Sequence, residues 1–200
     1  GETIEGKTCA ISGSGNVAQY CAQKVLGYGG KVITMSDSGG YIFDKEGINE
    51  SKLDWIMDLK NNRRGRIKEY VKEYPGAVYH EGKRPWGEVC DVALPSATQN
   101  EIEVEGATNL VKNGCMAISE GANMPTSPEA YTILSDAGVL FGPAKAANAG
   151  GVAVSALEMS QNASFDEWTS KKVDSKLDQI MTGIHKQCAD AAEEYNQKGN

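Results

Sequence analysis

No stretch of this 200-residue chain stays apolar for the roughly 20 residues that a helix needs to cross a bilayer. A membrane-spanning helix is therefore excluded. The opening run Gly1-Glu2-Thr3-Ile4-Glu5 lacks the basic and apolar regions of a secretory signal. Positive charge is in deficit as well. Twenty Lys and Arg face 27 Asp and Glu, giving a net charge of −7 and a pI near 5.0, so nucleic-acid phosphates would be repelled overall. Neither nucleic acid nor membrane is expected as a partner. Cysteine is scarce, odd in number at five, and nowhere spaced C-x-x-C, which argues against a disulfide framework and for a reducing compartment, the cytoplasm. The sequons at Asn49 and Asn162 are then accidental. With only two histidines, His185 and Cys188 have no second ligand pair, and no metal site is expected. No acid–base pair or nucleophile triad stands out, and there is neither an internal repeat nor a low-complexity linker.

Glycine is plentiful, and its most informative use is Gly13-Ser14-Gly15-Asn16-Val17-Ala18, between the apolar run Cys9-Ala10-Ile11 and a segment that reads as helix through Leu26. This is the order of a phosphate cradle. The first glycine permits a tight turn, the second lets backbone approach a pyrophosphate, and a small third residue, Ala18, lets helix pack on strand. The helix start supplies N–H groups and the positive end of its dipole. Residues 31–36 read as a second strand ending at Asp37, 24 residues past Gly13 and close to the ~20-residue spacing of a group that meets the adenosine ribose.

Strand-like and helix-like segments alternate from there, with short Gly- or Pro-bearing joints, as in a Rossmann-like, doubly wound α/β sheet. Ser38-Gly39-Gly40 is a turn, and Tyr41-Ile42-Phe43 followed by Asp44-Lys45-Glu46-Gly47 reads as a short strand or hairpin arm. Asn49 caps a helix to about Lys60, and a second helix at 66–73 stops before Pro75-Gly76. Further strands are expected at 77–79, 89–94, 116–119 and 139–141, with crossover helices at 103–113 and 127–137, the latter with Pro128 first. Strand signals end near Gly150. Residues 1–150 are expected to form the dinucleotide-binding core and 151–200 a C-terminal helical region of the same domain, with helices at 151–161 and 171–195.

In an open parallel sheet, ligands bind beyond the carboxyl ends of the strands. Those ends carry small and neutral polar residues: 12–15, Ser36-Asp37-Ser38, 95–100, 120–125 and 145–151. Small residues admit flat rings, and Ser, Thr, Gln and Asn offer hydrogen bonds to ribose hydroxyls or a carboxamide. Each segment alone could equally cap the following helix; their coincidence at successive strand ends points to a ligand.

Together with residues 13–19, these segments and the run from Lys145 through Asn162, above all Asn-Ala-Gly-Gly-Val and Glu-Met-Ser-Gln-Asn, resemble the nucleotide-binding domain of hexameric glutamate dehydrogenases of the bacterial small-subunit type. The resemblance spans nearly the whole chain. It implies that Ser14, Gly15, Asn16 and Val17 serve the pyrophosphate, that Ala97, Thr98 and Gln99 serve the ribose and its surroundings, and that Asn123 and Asn148 face the nicotinamide. Val152 and Ser155 match positions of the substrate pocket. The family's catalytic lysines and aspartate belong to an amino-terminal domain that no segment here matches. The chain is accordingly expected to be an excised cofactor domain, inactive alone, of an enzyme interconverting glutamate and 2-oxoglutarate as a homohexamer. The alternatives are a leucine-, valine- or phenylalanine-type dehydrogenase and a stand-alone nucleotide-sensing module.

On cofactor choice, residues and resemblance pull apart. An aspartate ending the second strand, like Asp37, suits a free 2′-hydroxyl and NAD. Ser36 and Ser38 can donate to a phosphate, and the Ser-Asp-Ser run resembles NADP-using members, in which a lysine and an arginine matching Lys60 and Arg63 reach the 2′-phosphate. NADP is expected, with NAD or dual use as the alternative.

Overall fold

The computed structural model describes residues 2–197. Seven strands form one sheet in the order β4-β3-β2-β1-β5-β6-β7. They are β1 (Thr8–Ile11), β2 (Lys31–Asp37), β3 (Gly40–Ile48), β4 (Val78–Glu81), β5 (Val92–Leu94), β6 (Ala117–Ser119) and β7 (Leu140–Gly142). β1, β2, β5, β6 and β7 are mutually parallel, whereas β3 and β4 run antiparallel to their neighbours. The expected doubly wound sheet is thus present with one edge turned back. The turn at Ser38 and Gly39 is too short for a crossover, so the chain returns as a nine-residue hairpin strand rather than as a short arm.

The buried strands alternate between two apolar layers. Cys9, Ile11, Val32 and Leu94 face one cluster with α1 (Asn16–Gly27) and α2 (Glu50–Asn61), while Ala10, Ile33, Ala93 and Ile118 face another with α4 (Val104–Lys112) and α5 (Pro128–Asp136). Asn49 caps α2 by accepting the Lys52 N–H at 3.0 Å, and Ser127 caps α5 by accepting the Ala130 N–H at 3.2 Å. The helix expected at 66–73 divides into a 3₁₀ turn at Ile67–Glu69 and the single turn α3 (Tyr70–Glu73). The short α6 (Ala144–Ala147) leads into α7 (Ala149–Ser164) and α8 (Ser170–Glu194), neither of which contains a buried residue. No helix among the described residues is long and apolar enough to cross a membrane.

One polar knot sits inside the first layer. Asp44 on β3, 2% exposed, accepts from Lys52 Nζ at 2.7 Å, Tyr70 Oη at 2.7 Å and the Glu46 N–H at 3.1 Å. It ties the hairpin to α2 and α3, which puts the C-terminal end of α2 beside the end of β2.

Candidate functional site

The strand order reverses between β1 and β5: from β1 the sheet grows one way through β2 and the other way through β5. Ligands of open α/β sheets bind at such a switch point, and the turn after β1 occupies it. Gly13 has φ +84°, and a Cβ there would stand 2.8 Å from the Ser96 carbonyl oxygen. Its N–H donates to Ser36 Oγ at 2.7 Å, locking the turn to β2. Gly15 differs: a Cβ on it would meet nothing within 4 Å. It opens α1 without any side-chain cap, so the first N–H groups of the helix, at the exposed Asn16 and Val17, have no acceptor among the described residues. Ser14 is buried, its carbonyl accepting from Gln19 Nε2 at 2.8 Å; Gln19 in turn exchanges amide hydrogen bonds with Asn61 on α2 at 3.0 and 3.1 Å. Sequence does not disclose the Gln19–Asn61 pair, because an amide pair 42 residues apart leaves no local pattern.

The end of β2 forms a cationic corner. Asp37 is not open to a ribose hydroxyl: Oδ1 accepts the Gly39 N–H at 2.8 Å and Oδ2 the Ile67 N–H at 3.0 Å. Lys60 Nζ and Arg66 Nη1 stand 3.7 and 3.9 Å from Oδ2, and Arg66 Nη1 donates to Ser38 Oγ at 2.8 Å. Arg63, expected here, pairs instead with Asp58 at 2.8 Å and lies over the Trp55 ring at 4.6 Å. The resemblance implies Arg63 at this corner; here α2 ends at Asn61 and the chain bends through Arg64, at φ +56°, so that Arg66 is the arginine that turns back toward Ser38.

The loop after β5 is held from beneath by Glu101, a residue absent from the sequence expectations. Its carboxylate is buried and accepts the N–H groups of both Ala97 and Thr98, at 3.0 and 3.2 Å. Burial pushes its pKa above the usual carboxyl value, while Ser12 and those N–H groups oppose the shift. Ala97, Thr98 and Gln99 are left exposed at the strand end. Glu120, also buried, accepts the N–H groups of Thr126 at 3.2 Å and Ala144 at 2.7 Å, shaping the next loop. In that loop Asn123 is exposed and makes no side-chain hydrogen bond among the described residues. Asn148 Nδ2 donates to the Ala122 carbonyl at 3.0 Å. Val152 and Ser155 lie exposed on α7. An apolar cavity of about 740 Å³ between β6, β7 and α8, lined by Ile118, Phe141 and Met181 among others, does not include the Gly13 turn.

A seven-stranded α/β sheet with an uncapped helix start at its switch point defines the class: an open-sheet domain of the nucleotide-binding type. The chain belongs to the glutamate/leucine/phenylalanine/valine dehydrogenase family, whose model matches residues 1–199. It is 56% identical to the NAD(P)-specific glutamate dehydrogenase of Xylanibacter ruminicola and 52% identical to the NADP-specific glutamate dehydrogenase of Haemophilus influenzae, in each case over 94% of this chain and 42% of the relative. Among solved structures, glutamate dehydrogenase 2 of Plasmodium falciparum superimposes with a TM-score of 0.92 at 48% identity, covering 98% of this chain and 43% of that one. The chain thus spans about two fifths of the length of the curated relatives it matches.

Proposed function

We propose that this chain is the cofactor-holding part of a glutamate dehydrogenase, and that it holds NADP. The observation that carries the reading is the corner where Ser38, Lys60 and Arg66 converge at the end of β2, beside an uncapped helix start. Two cations and a hydroxyl around one point suit a dianionic 2′-phosphate, and charge-assisted hydrogen bonds contribute about 1.5–3 kcal/mol each. The open space at Gly15 and the bare N–H groups of Asn16 and Val17 fit a pyrophosphate. Asp37, whose oxygens are engaged by backbone N–H groups, organises the corner instead of binding a ribose.

Bound there, the nicotinamide would accept hydride from the α-carbon of glutamate in its reversible conversion, with water, to 2-oxoglutarate and ammonia. In this reading Ala97, Thr98 and Gln99 flank the ribose, Asn123 and Asn148 orient the carboxamide end, and Val152 and Ser155 belong to the substrate side. Residues 1–150 are the dinucleotide core and 151–200 a helical extension of the same domain; substrate activation, and assembly as a homohexamer, lie with the rest of a longer enzyme. The relatives' names support glutamate over the other amino acids of the family description. Titration calorimetry of the chain with NADP and with NAD tests the assignment. Saturable binding with NADP at least tenfold tighter is expected; equal affinities or no binding would overturn it.

A further inference from the structure

The cysteines are not spread evenly over the sheet. Cys90 and Cys115 each stand two residues ahead of a strand, β5 and β6, and those parallel strands pair Val92 with Ala117. The two thiols therefore hold equivalent places at the strand-start edge, the opposite end of the sheet from the Gly13 turn. Backbone fixes them there. The Asp91 carbonyl accepts the N–H groups of Met116 at 2.8 Å and Ala117 at 3.3 Å, and Cys115 Sγ lies 3.7 Å from that same oxygen. Asp91 is itself bound to β1, exchanging hydrogen bonds with Thr8 at 2.7 and 2.8 Å. Cys90 and Cys115 are 3% and 5% exposed in one apolar cluster, where Cys115 Sγ also lies 3.4 Å from the Ala117 carbonyl oxygen. Neighbouring strands lie about 4.8 Å apart, inside the Cα separation of about 4.4–6.8 Å that a disulfide spans.

We propose that Cys90 and Cys115 are a peroxide-sensitive dithiol that closes to an intramolecular disulfide. Cys115 is the sulfur that reacts first: the Cys90 thiol beside it holds its pKa below the ordinary thiol value, while that of Cys90 is pushed up. The Cys115 thiolate attacks one oxygen of hydrogen peroxide, the O–O bond breaks, and hydroxide leaves to take a proton as Cys115 becomes a sulfenic acid. Cys90 sulfur then attacks the sulfenic sulfur; the S–S bond forms, the S–O bond breaks, and a second water departs with the Cys90 proton. Two thiols lose two electrons and one peroxide becomes two waters. Cys9, on β1, packs in the opposite layer and burial pushes its thiol up to about 12; Cys21 is likewise raised to about 11. Neither competes as a thiolate at neutral pH.

The test treats the full chain, and a Cys21→Ser, Cys188→Ser variant that removes the two most accessible thiols, with hydrogen peroxide, followed by alkylation of the unfolded protein and mass spectrometry without reductant. The expected result in both is a loss of two hydrogens and two alkylatable thiols, with tryptic peptide 84–112 joined to peptide 113–145, all reversed by dithiothreitol. With Cys90→Ser, dimedone should label Cys115 as trapped sulfenic acid; with Cys115→Ser, Cys90 should stay unlabelled. Both peptides recovered fully alkylated, or a bridge that includes Cys9, would overturn the proposal, as would dimedone on Cys90 instead of Cys115.

Discussion

Gly13 and Gly15 stand two residues apart and act in opposite ways. Gly13 is required by the fold: its φ of +84° and the Ser96 carbonyl oxygen, 2.8 Å from where a Cβ would stand, leave no place for a side chain. Gly13→Ala should destabilise the chain by about 1–3 kcal/mol, read as a lower midpoint in urea. Gly15 faces open space, so Gly15→Val should keep the parental midpoint yet lose NADP binding, because the new side chain fills the approach to the Asn16 and Val17 N–H groups. A variant that still bound as the parent does would show that the turn is not the cradle. The arginines separate in the same manner. Arg66→Ala should weaken NADP about tenfold, consistent with the loss of one charge-assisted contact, and leave NAD unchanged, whereas Arg63→Ala, which loses only its contacts to Asp58 and Trp55, should alter neither. Calorimetric titration of the two variants distinguishes them; a loss confined to Arg63→Ala would restore the assignment that the family resemblance implies.

At the scale of elements, the sequence disclosed what local pattern encodes. The strand-turn-helix at 8–27, the Asn49 cap and the Ser127-Pro128 start could be read directly, since each depends on residues within a turn of one another. What escaped depends on long-range contact. Glu101 takes its burial from other elements although its N–H partners are three and four residues away, and Asp44 finds its partners, Lys52 and Tyr70, on α2 and α3. Both have consequences. Removing Asp44 leaves Lys52 beside Tyr70 without its counter-charge, so Asp44→Ala should cost about 3–5 kcal/mol in chemical unfolding; a cost below 1 kcal/mol would show the knot to be incidental. For Glu101 burial raises the folded pKa above the ordinary value of 4.5, so the folded state holds its proton more strongly. Its contribution to stability is fullest below 4.5 and declines as pH rises through the folded value. Glu101→Gln, which keeps an acceptor for the two N–H groups, should therefore gain stability relative to the parent between pH 4 and pH 7. A constant difference across that range would contradict the buried, proton-retaining carboxyl.

For the whole molecule, strand order does the assembling. Placing β1 between β2 and β5 brings together the turn at Gly13, the corner at Ser38 and the loop at Ala97, which are dispersed over more than 80 residues of sequence. α7 and α8 contribute no buried residue, and Val152 on α7 is 75% exposed, in keeping with a surface that the remainder of a longer enzyme would meet. The central claim is that this assembly receives NADP in one orientation, and a crystal structure of the chain grown with NADP tests it most directly. The account predicts the pyrophosphate at the Asn16 and Val17 N–H groups, with the 2′-phosphate within hydrogen-bonding distance of Ser38 Oγ, Lys60 Nζ and the Arg66 guanidinium. A 2′-phosphate held by Arg63, or a cofactor lying away from the end of β2, would contradict it.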